Sequence, residues 1–197
     1  DKLSVIFIQM VALLRDGEPV AMGKRSGEFV TLKDVMGEVG SDACRFFFLM
    51  RKPDAQLDFD LELAKKHAPE NPVYYVQYCH ARICSIIEHA REQGIELPEK
   101  IDPAIIGKLT GKDDLDIIKH LAGFAEVVEA SANAMEPHRI NYYLPQLAGL
   151  FHPYYNKNRV VTDDRDETMA RLYLCTAIKT VAGSGLKLLG VSAPEKM

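Results

Sequence analysis

The chain has 197 residues, which is enough for one good-sized core or for one domain with a smaller appendage. Its 47% hydrophobic and 26% charged residues are typical of a globular protein, and no apolar run is long enough to cross a bilayer. The net charge of −4 is uneven, because residues 138–197 carry 8 basic and 5 acidic side chains whereas residues 1–137 carry 16 and 23. We therefore expect an anionic partner to meet the last third of the chain.

The opening stretch, LSVIFIQMVALL, is rich in β-branched residues and leads into Asp16-Gly17, a hairpin signal, after which Pro19 restarts an extended segment. It lacks the basic leader and small-residue cleavage pattern of a signal peptide. We predict a β-hairpin here.

Two short helices are predicted after a basic loop, GKRSG, at residues 23–27. Thr31 is suited to cap the first helix, with Asp34 at the capping-box position, and Ser41 is suited to cap the second. Pro53 should end the second helix.

From Asn71 onward the pattern is helical, and it follows a stretch at residues 57–66 that we interpret as a solvated acidic connector. Asn71 and Pro72 suit the N-cap and first position of a long helix. Apolar stripes predict helices from Asn71 to Gly94, from Leu115 to Met135, from Arg139 to Tyr155 and from Leu172 to Leu189. We predict a helical bundle, with domains at 1–66 and 67–197.

The cysteines contain no CxxC pair, and three of them fall in apolar helical patterns, which suits buried free thiols in a reducing compartment. We therefore expect a cytoplasmic protein. The histidines show no metal-ligand spacing with cysteines or clustered carboxylates, so we predict no metal site. Gly183-Ser184-Gly185, inside a helical pattern, is interpreted as a close helix crossing.

Aromatic, amide and basic side chains are mixed between His138 and Arg159, a composition that suits single-stranded RNA. Unpaired bases need flat faces for stacking, amides to read their edges and cations for the phosphates. We expect Tyr142 and Phe151 to pack between helices instead. For Tyr155, beside Asn156 and Lys157, packing and base stacking remain equally open.

The basic loop is a weak signal by itself. Its glycines permit close backbone approach, and Lys24 and Arg25 have the charge to neutralise a phosphate. A short basic, glycine-rich turn is nevertheless more often a solvated loop.

Four blocks together resemble arginyl-tRNA synthetases, a family of class I aminoacyl-tRNA synthetases. They are MGKRSGEFVTL (22–32), DACRFFFLMRKPDAQLDFDLELAKK (42–66), ENPVYYVQYCHARICSI (70–86) and LLGVSAPEKM (188–197). They occur in the family's order and span nearly the whole chain. The resemblance implies a mainly α fold, a DALR-type helical anticodon-binding domain preceded by the β-hairpin and small helices that end the catalytic domain.

The resemblance also implies a role for the basic loop as the family's KMSKS-like loop, which closes over the ATP phosphates. The residues so implicated are Met22, Gly23, Lys24, Arg25 and Ser26, with Lys24 as the catalytic group. At positions 21 and 23 the signature usually has lysine and serine, whereas this chain has Ala21 and Gly23. These departures affect how tightly the loop would hold the triphosphate of ATP. ATP with magnesium is implied for the intact enzyme. The nucleotide-binding core that would use them lies upstream, so we expect this chain alone to bind neither and to be inactive.

The implied partners are tRNA(Arg) and, through the missing catalytic domain, arginine and ATP; neither DNA nor a membrane is expected. In the family, the tyrosine that ends the FxxxY block and the last residue approach the anticodon loop, and they match Tyr155 and Met197. Arg82, in the third block, is a weaker candidate. The full set of candidate tRNA contacts is Arg82, Arg139, Tyr155, Asn156, Lys157, Arg159 and Met197.

Two other functions fit part of the pattern. A helical protein-interaction domain that binds a peptide would show little salt dependence, whereas RNA binding predicts a steep one. A stand-alone RNA-binding module fits the helices but leaves the Lys24 loop unexplained.

Overall fold

The N-terminal part of the chain combines a small sheet with three short helices. The computed structural model describes residues 3–20, 30–98, 100 and 102–197. The elements are β1 (Val11–Arg15), β2 (Glu18–Pro19), α1 (Leu32–Val39), α2 (Ser41–Phe48), β3 (Leu57–Asp60) and α3 (Leu61–Lys65).

The strand β1 lies in the middle of the sheet, in the order β2-β1-β3. The predicted hairpin is confirmed, since Asp16 and Gly17 both adopt positive φ and β1 and β2 pair antiparallel around them. The predicted opening strand is too long, because only Val11–Arg15 of it is paired. β3 lies on the other side of β1 and is parallel to it.

Residues 57–66 form β3 and α3, so the prediction of a solvated connector is wrong. Leu57 and Phe59 are buried and alternate with aspartates, the period of a strand with one covered face. Asp60 then caps α3, since its carboxylate accepts from the backbone N–H groups of Glu62 and Leu63. The prediction was based on the charged residues of this segment and missed the alternation of apolar and acidic side chains, which indicates a strand.

Both short helices begin close to the predicted positions. Thr31 and Asp34 form the expected capping box on α1: the Thr31 hydroxyl accepts from the Asp34 N–H and the Asp34 carboxylate accepts from the Thr31 N–H. For α2 the prediction is wrong in detail. Gly40 is the cap residue, with φ of 83°, and Ser41 is the first helical residue.

Four charged side chains join β1, α1 and α3. Arg15 Nη1 lies 2.7 Å from Glu38 and 2.7 Å from Glu62, while Lys65 Nζ lies 3.0 Å and 2.6 Å from the same two carboxylates. The hydrogen bonds from Arg15 and Lys65 lower the pKa of Glu38 to about 2. This network anchors α1, which follows residues 21–29 directly.

The remaining elements form the predicted helical bundle, which confirms the fold class. They are α4 (Pro72–Glu92), α5 (Pro103–Ile106), α6 (Lys112–Ala122), α7 (Phe124–Ala134), α8 (His138–Lys157) and α9 (Arg165–Leu188). Asn71 caps α4 as predicted, by accepting from the Val73 N–H. The helix predicted from Leu115 to Met135 is instead two helices, because Gly123 ends α6 and begins α7.

The core lies where α4, α8 and α9 pack together. Its fully buried side chains include Ile83, Leu147, Phe151, Tyr154 and Ile178. Cys79 and Cys175 are buried as predicted, and burial raises the pKa of both thiols, to about 12 for Cys175. Cys84 is only half-buried, contrary to expectation.

The sheet region and the bundle share one continuous core. Between them, the Asn141 side-chain amide donates to the Phe46 carbonyl at 2.8 Å, with Asn141 fully buried. α8 is thereby held against α2.

The Gly183-Gly185 segment is the close helix crossing predicted from sequence. A Cβ at Gly185 would lie 2.6 Å from Leu144 Cδ2, and Leu144 is fully buried on α8. A Cβ at Gly183 would meet the His80 ring at an ordinary 3.5 Å. Only Gly185 therefore needs to lack a side chain.

We expect Gly185→Ala to lower the free energy of unfolding by ~1–3 kcal/mol, since the core there has no room for a methyl group. Gly183→Ala is the matched control and should raise it by up to ~1 kcal/mol, because glycine in a helix interior is less favourable than alanine. Urea denaturation of both variants measures this. Similar changes at the two positions would contradict a close crossing at Gly185.

Glu38→Gln should destabilise the chain at pH 7 but not near pH 2. The folded-state pKa of Glu38, about 2, lies below its ordinary 4.5, so the ionised carboxylate stabilises the fold above pH 4.5 and this contribution is lost as the pH falls toward 2. Denaturant unfolding at pH 7, 4 and 2.5 follows the difference. Glu92→Gln, an exposed control on α4, should show none, and a pH-independent difference for Glu38→Gln would rule out the network as its cause.

Candidate nucleic-acid interface

One face of α4 carries aromatic and cationic side chains at four-residue spacing. Tyr74, Tyr78 and Arg82 are half-buried and follow one another along the helix. The rings of Tyr74 and Tyr78 are stacked, with centroids 5.9 Å apart and 10° between planes. The Arg82 guanidinium carbon lies 5.2 Å from the centre of the Tyr78 ring, and Arg82 donates a hydrogen bond to the Tyr78 hydroxyl.

Tyr155, in the last turn of α8, extends this row. The Arg82 guanidinium carbon lies 5.4 Å from the centre of the Tyr155 ring, so the cation contacts the faces of two tyrosines from two helices. This contact fixes the end of α8 relative to α4.

His67 extends the row at its other end, where its ring stacks on Tyr74 with centroids 5.7 Å apart. We call the set His67, Tyr74, Tyr78, Arg82 and Tyr155 the aromatic strip. His67 is exposed and the other four members are half-buried, so part of their flat surface is accessible to a ligand.

His152 supports the strip from below. Its ring lies 4.5 Å from that of Tyr75 and 5.7 Å from that of Tyr78, and its Nε2 is 3.4 Å from the Tyr75 carbonyl oxygen. Burial lowers the pKa of His152, and the charge of Arg82 lowers it further. A neutral imidazole therefore packs beneath the strip at neutral pH, which avoids a second charge next to Arg82.

A cavity of about 660 Å³ opens beside Tyr155, between α4 and the segment that joins α8 to α9. Ile86 and Val160 give it an apolar floor. Its polar lining consists of Arg82, Ser85, His89, Asn156, Lys157 and Arg159. We call this the basic cleft.

The cations of the cleft differ in their partners. Lys157 Nζ lies 3.1 Å from the carboxylate of Asp113, in the first turn of α6, and both side chains are largely exposed. Within the described ranges, no carboxylate is within ion-pair distance of Arg159. A polyanion entering the cleft would thus meet the accessible Arg159 and displace Asp113 from Lys157, beside the third cation, Arg82.

Five of the seven predicted tRNA contacts line this one cleft: Arg82, Tyr155, Asn156, Lys157 and Arg159. Met197 is at the other end of the strip, in a cavity of about 370 Å³ that Tyr74 and His67 also line. Arg139 lies apart. It pairs with Glu136 at 2.5 Å near the start of α8, on the order of 24 Å along the helix from Tyr155.

Two interpretations of the α8 aromatics were made from sequence. Phe151 is fully buried, as expected. Tyr142 was expected to pack with its hydroxyl at the surface; it is 44% exposed, and its ring contacts that of His138 edge-on. Tyr154 and Tyr155 are neighbours with different environments: Tyr154 is 1% exposed and burial raises its pKa, whereas Tyr155 faces the cleft.

Sequence reasoning missed Tyr74, Tyr78 and His67. The four-residue spacing from Tyr74 through Tyr78 to Arg82 is visible in the sequence. The prediction for this helix rested instead on the apolar stripe on its opposite face. His67 gave no signal, since it precedes the helix and reaches Tyr74 only through the fold.

The predicted ATP-loop residues, Met22, Gly23, Lys24, Arg25 and Ser26, lie outside the described residues. What is described is the two ends of that loop. The Val20 N–H donates to the Leu13 carbonyl at 2.8 Å on one side, and the Thr31 capping box begins α1 on the other.

In the described part of the chain, no group of three or more His, Cys, Asp or Glu side chains is arranged to hold a metal ion. None of the helices described has the length and apolar character to span a membrane.

Comparison with known proteins gives the same family from sequence and from structure. Residues 76–197 match the family model of the DALR anticodon binding domain. The chain is 56% identical to an arginine–tRNA ligase of Syntrophotalea carbinolica over 197 residues, all of this chain and 35% of that protein. The chain thus spans about a third of the length of the curated relatives it matches.

Two solved structures share the fold. One, from Campylobacter jejuni and assigned to the arginyl-tRNA synthetases, has a TM-score of 0.79 and 31% identity, covering 96% of this chain and 40% of its own. The arginyl-tRNA synthetase of Thermus thermophilus has a TM-score of 0.70 and 25% identity, covering 94% of this chain and 34% of its own. The resemblance stated from sequence is confirmed.

Proposed function

Because the chain belongs to the DALR anticodon-binding domain family, we propose that its aromatic strip and basic cleft bind the anticodon stem-loop of tRNA(Arg). The names of its relatives support the choice of tRNA. Members of the strip and cleft come from α4, α8 and the segment before α4, so the surface exists only in the folded chain.

The single observation that carries this proposal is the Arg82 guanidinium between the rings of Tyr78 and Tyr155. Unstacked bases of a loop bind to flat aromatic or guanidinium faces, and every base has a π-face to offer. A peptide ligand would show little salt dependence, whereas the cations of the adjoining basic cleft predict a steep one.

Charge in the cleft suits a phosphate backbone next to the stacked bases. Arg159 is accessible, and Lys157 exchanges Asp113 for a phosphate when RNA arrives. Asn156, which lines the same cleft, has the donor and acceptor pair needed to read a base edge. Arg139 lies at the other end of α8 and would therefore contact a different part of the RNA.

For the whole protein we propose ATP-dependent ligation of arginine to tRNA(Arg), in the cytoplasm. The donor set at residues 22–26, two cations and a hydroxyl among glycines, fits a polyphosphate. ATP with magnesium would supply the adenylyl group that activates arginine. Lys24 would stabilise the charge that develops on the phosphates, and the anchored ends of the loop would set where Lys24 can reach.

Tyr155→Phe should bind tRNA almost normally, whereas Tyr155→Ala should lose ~1–3 kcal/mol of binding free energy, since stacking needs the ring and not the hydroxyl. The salt dependence should not change. Lys157→Ala should instead reduce the slope of log K against log salt by a little under ~1 unit. Filter binding at several salt concentrations measures both effects.

Tyr142→Ala is the matched control, because Tyr142 is an exposed tyrosine on the same helix but away from the strip. It should leave affinity unchanged. If Tyr155→Ala lowers the melting temperature strongly while affinity per folded molecule stays constant, Tyr155 is a packing residue and the stacking proposal fails.

In the full-length protein, Lys24→Ala should slow arginine-dependent exchange between pyrophosphate and ATP, with tRNA affinity nearly unchanged. Loss of one contact to a developing negative charge is typically worth ~2.7–4 kcal/mol in the transition state. Exchange kinetics and tRNA binding measure the two effects separately. Weaker tRNA binding with normal exchange would make Lys24 an RNA contact instead.

A further inference from the structure

The segment 190–197 joins the aromatic strip to a helix outside the matched domain. We propose that Asp42, on α2, is a positioning residue for the tRNA-binding surface: together with Gln77 it holds this segment so that Met197 completes the Tyr74 end of the strip. The inference rests on the proposed function and adds a residue of α2 to those that shape the tRNA-binding surface.

The segment leaves α9 in a fixed direction. Gly190 has φ of 68°, and the Val191 N–H donates to the Leu186 carbonyl at 2.9 Å, which is the geometry of a glycine-terminated helix end. Val191 is then buried in the core. The chain therefore turns back toward α2 and α4.

Asp42 receives the segment with both carboxylate oxygens. One oxygen accepts from the Ser192 N–H at 3.2 Å, and the other accepts from the Ser192 hydroxyl and from the Gln77 side-chain amide at 2.9 Å. The same Gln77 amide reaches the Ser192 carbonyl at 3.0 Å. Three donors thus converge on one carboxylate from α4 and from a residue 150 positions away.

A second attachment follows within two residues. His80 Nδ1 lies 2.9 Å from the Pro194 carbonyl oxygen, and His80 is one helical turn from Gln77 on α4. The segment is therefore fastened along α4 before it reaches Met197.

Met197 lines a cavity with Tyr74, Gln77 and Asp42 itself. It is 56% exposed, so its flexible thioether side chain is available to a ligand. Gln77 lies between Tyr74 and Tyr78 on α4, which places the attachment within one turn of the strip. The position of Met197 beside the strip follows from contacts that Asp42 makes.

The experiment uses the full-length protein and measures tRNA affinity for Asp42→Asn, Met197→Ala and the double variant, together with their melting temperatures. An amide cannot accept from all three donors, because in one orientation its nitrogen faces the Gln77 side-chain N–H and in the other it faces the Ser192 backbone N–H. We expect Met197→Ala and Asp42→Asn each to weaken binding by about two- to tenfold, the range for a single sulfur–aromatic contact. The double variant should be no weaker than either.

The direction of the Asp42→Asn effect is informative. Removal of a negative charge from a protein that binds a polyanion should by itself tighten binding, so a loss indicates displaced structure. Asp58→Asn is the matched control, since Asp58 is exposed and accepts only from Gln56 among the described side chains. It should leave affinity unchanged or slightly higher.

A second pair of variants keeps the test decisive if Asp42→Asn fails to fold. Ser192→Ala should reproduce the loss, and Ser192→Thr, which keeps the hydroxyl, should bind like the parent. Multiplicative losses for Asp42→Asn and Met197→Ala, or unchanged affinity in Ser192→Ala, would overturn the proposal. If Tyr155→Ala weakens binding and these variants do not, only this inference fails; if Tyr155→Ala also has no effect, the proposed function fails first.

Discussion

The packing of α4 against α9 and α8 is the interaction on which the candidate interface depends. One side of α4 is buried through Val76, Cys79, Ile83 and Ile86, and this fixes the rotation of the helix about its axis. A helix held in one rotation must present its remaining residues in one direction. Tyr74, Tyr78 and Arg82 therefore form an ordered row because the opposite side of the helix is core, and the Arg82 guanidinium joins Tyr155 of α8 to that row.

The sequence predicted elements whose signals are local. Capping at Thr31 and Asn71, the Asp16-Gly17 turn and the long apolar stripes each depend on residues a few positions apart, and all are present. Errors arose where two local signals competed. At residues 57–66 the charged side chains favoured a solvated connector, whereas the alternation of apolar and acidic residues favoured a strand. Pairing with one strand, β1, accompanies the burial of Leu57 and Phe59. At Gly123 the apolar stripe continues from α6 into α7 although one helix ends and the next begins there. Glycine adopts the backbone conformation of such a break at little cost in free energy.

The candidate site was predictable to the extent that its residues lie together in sequence. Composition found the run from Tyr155 to Arg159, and the family resemblance added Arg82 and Met197. His67 could not be found this way, because its contact with Tyr74 depends on the turn between α3 and α4. Tyr154 is buried whereas Tyr155 lines the cleft. The sequence cannot show this difference, because the two residues are identical and adjacent. The role of residues 21–29 as an ATP-binding loop is supported by the family resemblance alone.

The ion pair between Lys157 and Asp113 bears on how long a ligand remains bound. A cation that already has a partner exchanges one anion for another when a polyanion binds, so the gain in free energy is smaller than for an isolated lysine. The Asp113 carboxylate remains close enough to re-form the ion pair when the polyanion dissociates. Such a contact favours short residence times, which suits a surface that must release each molecule before it can accept the next.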